Sequence, residues 1–188
     1  MKLTLPWKLT LALALLTPVW GHTSGLEDIS NYRQYSPVFA SSGQPNIDEI
    51  PLLAEEGYRR IIYLAFTTNQ TAIPGEDNLV VENGMEYVHV PVDFEKPTLK
   101  HFQLVTTVLQ DDPALKTLLH CQINLRASTF SFLYRTIFLH VPMAEAKADL
   151  DAIWVPDEVW YRFIVDTLAH YNMNADCPDC DWAERAFD

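Results

Sequence analysis

Basic residues are scarce in this chain: 13 lysines and arginines stand against 25 acids, for a net charge of −12. An acidic surface repels nucleic-acid phosphates and anionic membranes, which argues against both as partners. Cysteine is scarce too. Three residues are too few for the disulfide framework of a small toxin-like scaffold. Glycine numbers only six, prolines number twelve, and there is no low-complexity tract or internal repeat, so fibrous and coiled-coil architectures are excluded. No apolar run reaches the ~20 residues of a membrane-spanning helix; the run from Leu9 to Trp20 contains Pro18 and is only 12 residues long. What is there, 48% apolar and 20% charged residues over 188 positions, suits one globular domain with a substantial core.

The start of the chain reads as an address. Lys2 and Lys8 give it a weakly basic character, the apolar run follows, and Val19 and Gly21 are small residues at the −3 and −1 positions of a cleavage site. Residues 1–21 are therefore expected to be a signal peptide, and the protein to be periplasmic or secreted with no stable membrane insertion. No cysteine lies near the cut, so a lipoprotein anchor is excluded. Cleavage would remove two lysines and no acids, taking the net charge to −14. The remainder divides into an α/β domain over 22–172 and an acidic tail over 173–188.

Export changes the reading of the cysteines. An odd count in an oxidising compartment suggests one pair and one thiol kept free. Cys177 and Cys180 form a CxxC in the acidic tail, a pattern that serves as a redox site, half a zinc site or a local disulfide. No second CxxC or HxxxH supplies further metal ligands, and this pair follows a long helix rather than opening one. A local disulfide is the favoured reading, which leaves Cys121 as the free thiol.

Along the chain, a strand is expected over Ser36–Ser42, ending in the turn Ser42-Gly43-Gln44-Pro45. Asn46 then caps an amphipathic helix that Gly57 stops. Arg60–Leu64, Tyr87–Pro91 and Thr117–His120 read as strands. A short helix ends near Asn83-Gly84, and Thr98 caps another that reaches Asp111. Helical patterns follow over Arg126–His140, Met143–Ile153 and Asp157–Asn172. Strands alternating with helices of crossover length predict a single α/β domain with a mostly parallel central sheet flanked by helices. In such sheets ligands bind beyond the carboxyl ends of the strands. Cys121 lies at one such end and Asp93 just beyond another.

The segment Leu118-Leu119-His120-Cys121-Gln122-Ile123-Asn124-Leu125-Arg126-Ala127-Ser128 is strand, short loop and helix start. A thiol placed there faces the positive end of the next helix and the loop amides, which favour its nucleophilic thiolate form. The amides of Gln122, Ile123, Asn124 and Leu125 can form a nest for a tetrahedral oxyanion. Arg126 can close that nest with a bidentate guanidinium, and Asp93 can protonate a leaving oxygen. A buried cysteine by itself is more often a small apolar filler. Its place between a strand and an arginine-initiated helix argues for chemistry instead, by way of a cysteinyl-phosphate. His120 reads as a structural hydrogen-bonding residue at the base of the loop, His89 as sheet packing, and Trp154 and Trp160 as packing around Pro156.

These segments resemble the cysteine-dependent protein tyrosine and dual-specificity phosphatase superfamily. Within it, the chain is most similar to the small bacterial tyrosine-phosphatase-like group related to the domain fused to beta-lactamase-like hydrolases. The resemblance spans Ser36 to Ile164. It rests on Ser42-Gly43-Gln44-Pro45, on Gly57-Tyr58 leading into Ile61-Ile62-Tyr63-Leu64, and on Glu86-Tyr87-Val88-His89-Val90-Pro91-Val92-Asp93. His120-Cys121 with Arg126, and Ile153-Trp154-Val155-Pro156, complete it. It implies a three-layer phosphatase fold, with Cys121 as nucleophile, Arg126 as phosphate clamp and Asp93 as general acid. The substrate would be a phosphorylated protein or small molecule, and no metal or organic cofactor is implied. The chain departs from the family signature HCxxGxxR in having four residues rather than five between Cys121 and Arg126, and no glycine among them. Asn124 is then the residue expected to take a left-handed conformation. The hydroxyl that usually follows the arginine directly is displaced to Ser128. A four-residue spacing is that of rhodanese-type sulfurtransferases, so a persulfide carrier and an inactive phosphate-binding module stand as alternatives.

Overall fold

The computed structural model describes residues 25–178 and 180–182. The expected signal peptide lies outside the described residues. Five strands form one sheet: β1 (Arg33–Ser36), β2 (Phe39–Ser42), β3 (Arg60–Tyr63), β4 (Glu86–His89) and β5 (Thr117–His120). Their spatial order is β1-β2-β5-β3-β4. The pairs β2·β5, β5·β3 and β3·β4 are parallel, and only the edge pair β1·β2 is antiparallel. The strand expected over Ser36–Ser42 is thus the second half of a hairpin. Pro37 and Val38 form its two-residue turn, a pair lacking the Asn-Gly or Asp-Gly signature by which such turns are read from sequence.

Among the described residues, six α-helices connect and cover the strands: α1 (Glu49–Glu55), α2 (Glu76–Glu82), α3 (Leu99–Asp111), α4 (Leu125–Ile137), α5 (Met143–Asp151) and α6 (Glu158–His170). Three caps are written in the sequence. The Asn46 side chain accepts from the N–H groups of Asp48 and Glu49 at 2.9 and 3.1 Å, while Glu49 Oε2 accepts from the Asn46 N–H at 2.7 Å, a reciprocal box that starts α1. Thr98 and Asp157 accept from His101 N–H and Trp160 N–H at the starts of α3 and α6.

β2, β3 and β5 are buried at every position, as expected of central parallel strands covered on both faces. Alternate side chains go to opposite layers. Ala40, Ile61 and Leu118 meet Ile50 and Leu53 of α1 and Val80 of α2 on one side. Phe39, Ile62 and Leu119 meet Phe102, Phe130, Leu133, Trp160 and Ile164 on the other. Helix α4 is buried along its length from Arg126 to Ile137. Its buried Arg135 is paired: Arg135 and Arg33 both hold Asp149 of α5, and the Arg135 guanidinium lies 4.5 Å from the Tyr35 ring centroid. Past α6, Cys177 and Cys180 form a disulfide, and Trp182 packs edge-on against Phe132 of α4. Among the described residues, no helix is long and apolar enough to cross a membrane.

Candidate active site

β5 delivers Cys121 to the carboxyl edge of the sheet, where its N–H donates to the Ser42 carbonyl of β2 at 3.3 Å. Cys121 is the free cysteine and is buried, 1% exposed. Asn124 turns the loop with φ 72°, the left-handed conformation expected of the residue standing in for the missing glycine. Two asparagines clamp that turn from outside. Asn124 Nδ2 donates to the Asn31 carbonyl at 2.6 Å, and Asn31 Nδ2 donates to the Ile123 carbonyl at 2.9 Å. A third support is Gly43-Gln44: Gln44 N–H donates to the Gln122 carbonyl at 3.0 Å and Gly43 N–H to the Ser30 carbonyl at 2.6 Å. A Cβ on Gly43 would stand 2.9 Å from both carbonyl oxygens, so only glycine lets the two segments come this close.

Helix α4 starts without a side-chain cap. Among the described residues, the N–H groups of Leu125, Arg126 and Ala127 make no hydrogen bond. Helix-start amides left open in this way, with the positive end of the helix behind them, are suited to an anion. Arg126 sits in this first turn, 4% exposed. Its Nη1 donates to the Val92 carbonyl at 2.9 Å and its Nη2 to Gln122 Oε1 at 3.1 Å. The Nε–H is buried and makes no hydrogen bond. Buried donors are rarely left so, and the free edge of the guanidinium matches a tetrahedral oxyanion. Ser128 is buried, and its hydroxyl donates to the Leu125 carbonyl within the helix.

The bond from Arg126 to Val92 brings in the loop after β4. Asp93 follows Val92 directly, half-buried, with Oδ1 accepting from Glu95 N–H at 3.0 Å. Its neighbour Phe94 lies 5.4 Å from the Trp160 ring and 6.0 Å from Trp154, and the Phe94 carbonyl accepts from Trp160 Nε1 at 3.0 Å. The two tryptophans pack as expected, and Trp160 also pins the aspartate loop to α6. The cysteine loop and the Asp93 segment therefore share one end of the sheet.

His120 differs from its sequence reading. Both ring nitrogens lack an aligned hydrogen bond. The fully buried imidazole stacks on Tyr63 at 4.7 Å, and Tyr63 stacks on His89 at 5.2 Å. Nε2 of His120 lies 3.3 Å from Glu76 Oε1, and that oxygen also accepts from Gln44 Nε2 at 2.7 Å. Burial pushes the Glu76 carboxyl up to about 7, only partly opposed by Gln44, and pulls His120 down to about 3. Glu76 and Asn31 are contributors absent from the sequence reading, while Gln44 and Trp160 figure there only as a turn residue and as packing, without their bonds to Glu76 and to the Phe94 carbonyl.

A cavity of about 510 Å³ runs beside the cysteine loop between Gln122-Ile123 and the segment Gln44–Asp48, with Ile73 on its far wall. Ile47 and Ile123 are 59% and 50% exposed, and Asp48 is the one charged residue lining it. Among the described residues, no group of three His, Cys, Asp or Glu side chains converges as a metal site would need.

No family model matches the chain, and no curated protein sequence matches it significantly. Solved structures do. A candidate phosphatase of the DUF442 group from Shewanella putrefaciens CN-32 superposes with a TM-score of 0.71 at 29% identity, covering 78% of this chain and 96% of its own. The PP-IP phosphatase SIW14 from S. cerevisiae superposes at 0.61 with 14% identity, covering 72% and 84%. TpbA from P. aeruginosa, in complex with pTyr, superposes at 0.55 with 16% identity, covering 72% and 80%. This chain shares the fold of these phosphatase structures, and it resembles the DUF442 structure in sequence as well.

Proposed function

We propose that this chain is an exported phosphatase that cleaves phosphate monoesters of aryl or similarly apolar alcohols through a cysteinyl-phosphate. The observation that carries this reading is that one short loop brings together the free Cys121, the open amides at the start of α4 and the unpartnered Nε–H of Arg126. The thiolate of Cys121 attacks phosphorus, forming the S–P bond as the ester P–O bond breaks. Asp93 gives its proton to the departing oxygen, and the Asp93 carboxylate then takes a proton from the water that cleaves the S–P bond, which releases phosphate and restores both the thiolate and the acid. Arg126 and the amides of Gln122–Leu125 hold the equatorial oxygens, whose charge is better stabilised there than in water. No metal or organic cofactor enters this chemistry.

The cavity beside the loop supports the choice of alcohol. Its walls are mainly apolar and carry no cation, so a second phosphate on the substrate would find no partner, while an aromatic ring would rest against Ile47 and Ile123. The likeness to a structure holding pTyr is consistent with this, although at 16% identity it speaks for the fold. The expected signal peptide and the free Cys121 beside a Cys177–Cys180 disulfide support export. The test is hydrolysis of 4-nitrophenyl phosphate by wild type, Cys121→Ser and Arg126→Ala, followed by competition with phosphotyrosine and with inositol hexakisphosphate. Turnover dependent on both residues and inhibited by phosphotyrosine alone supports the reading. Phosphate binding without turnover would point to a binding module, and a sulfur added to Cys121 by thiosulfate would point to a persulfide carrier.

A further inference from the structure

Glu76 is buried at the end of a helix that belongs to neither the cysteine loop nor the aspartate loop, and burying a carboxyl without a strong partner is costly. Only 3% of it is exposed. Its two contacts both lead to the cysteine loop from behind. Oε1 faces Nε2 of His120, the residue before Cys121, at 3.3 Å. The same oxygen accepts from the Gln44 side chain at 2.7 Å, and the Gln44 main chain holds the Gln122 carbonyl, the residue after Cys121, at 3.0 Å. We propose that Glu76 is a positioning residue for the cysteine loop, gripping it on both sides of Cys121 through His120 and Gln44, and that its protonation selects the tautomer of His120. This rests on the phosphatase reading only for the purpose of the loop, not for the contacts.

The chemistry follows from the partners. With its proton, Glu76 donates to the bare Nε2 of a neutral imidazole, which then carries hydrogen on Nδ1. Ionised, it is an acceptor only, so Nε2 must carry the hydrogen. The proton lost by Glu76 goes to solvent through the cavity of about 340 Å³ that Glu76 lines together with Tyr63, Tyr87 and His89. Because His120 immediately precedes Cys121, a change in what its ring can bond bears directly on the peptide of the nucleophile. The groups facing Glu76 leave it the titrating member. Gln44 is neutral, Asp77 on the same helix disfavours its charge, the phenols Tyr63 and Tyr87 are raised by burial and by the Glu76 charge, and His120 is held neutral by burial with His89 two rings away. The burial-raised carboxyl value agrees with this geometry.

The experiment follows the ring nitrogens of 15N-histidine-labelled protein by NMR from pH 5 to 9. Beside it runs the rate of Cys121 alkylation by iodoacetamide without reductant, so that the Cys177–Cys180 pair stays closed. In wild type the His120 shifts are expected to change with a midpoint near neutrality while the ring stays uncharged, and the alkylation rate to step at the same midpoint. Both steps are expected to vanish in Glu76→Gln, whose amide serves either tautomer. A His120 signal that is constant over this range, or a step that persists in Glu76→Gln, overturns the assignment. If Glu76→Gln does not fold, wild type decides alone: a shared midpoint for His120 and Cys121 supports the assignment, and separate midpoints overturn it. Neither readout needs turnover, so absence of hydrolysis counts only against the phosphatase reading.

Discussion

Arg126 Nη1 donates to the carbonyl of Val92 at 2.9 Å, across 34 positions of sequence. The guanidinium that would hold phosphate is thereby tied to the residue before Asp93, so one side chain links the nucleophile loop to the acid loop. Replacing Arg126 by lysine keeps the charge but loses the fork, because an ammonium cannot serve Val92, Gln122 and a phosphate in one plane. Arg126→Lys is expected to lower kcat/KM for 4-nitrophenyl phosphate by at least about 100-fold, the scale of losing one oxyanion donor. Steady-state kinetics would show this, and activity within a factor of a few of wild type would contradict it.

Trp160 fixes the acid loop through its indole N–H on the Phe94 carbonyl. Trp160→Phe keeps most of the ring packing but leaves that carbonyl unpaired, at about 1 kcal/mol of stability. The larger effect is expected on turnover: phenyl phosphate, whose leaving oxygen needs a proton, loses more rate than 4-nitrophenyl phosphate, whose leaving group does not. Equal losses on both substrates would argue that Trp160 serves stability alone.

Gly43 meets the Gln122 and Ser30 carbonyls where a methyl would stand 2.9 Å from each. Gly43→Ala is expected to cost about 1–3 kcal/mol, the usual range for overpacking, and to weaken phosphate binding because one of the obstructing atoms, the Gln122 carbonyl oxygen, belongs to the cysteine loop. Urea denaturation and phosphate protection against heat would measure the two effects.

Much of the architecture was legible because it is local. Asn46, Thr98 and Asp157 announce helix starts by the chemistry of their own side chains, and the buried strands show as apolar runs. The hairpin was not, since Pro37-Val38 is an unusual turn pair. At the site, Cys121, Arg126 and Asp93 stood out by their place relative to strand ends, and the left-handed Asn124 followed from the missing glycine. The supporting shell was invisible for a physical reason. Asn31 lies 93 positions from Asn124, and Glu76 lies 44 from His120, and no pattern of spacing encodes a contact that only the closed sheet creates.

Glu76 and His120 also predict how stability follows pH. The folded state holds the Glu76 proton more tightly than the unfolded chain, so the contribution of that group is full below about 4.5 and is lost as pH rises to about 7. Burial of His120 acts in the opposite sense: its contribution is present above 6.5 and is lost as pH falls towards about 3. Between these limits the two slopes oppose each other. Glu76→Gln removes only the first, so relative to wild type the variant is expected to gain up to about 3 kcal/mol between pH 4.5 and 7, at about 1.4 kcal/mol per unit of differential shift. Urea denaturation of both proteins at pH 4.5, 5.5, 6.5 and 7.5 gives the difference directly, and parallel profiles would contradict it.

The central claim is that Cys121 is a nucleophile towards phosphorus despite the short loop. It is tested most directly by mixing the reduced protein with 4-nitrophenyl phosphate between pH 5 and 8, with Cys121→Ser beside it, and trapping the reaction with acid for mass spectrometry. The account predicts turnover in wild type alone and a phosphate adduct on Cys121. Turnover retained in Cys121→Ser, or a folded wild type with neither turnover nor adduct, would contradict it.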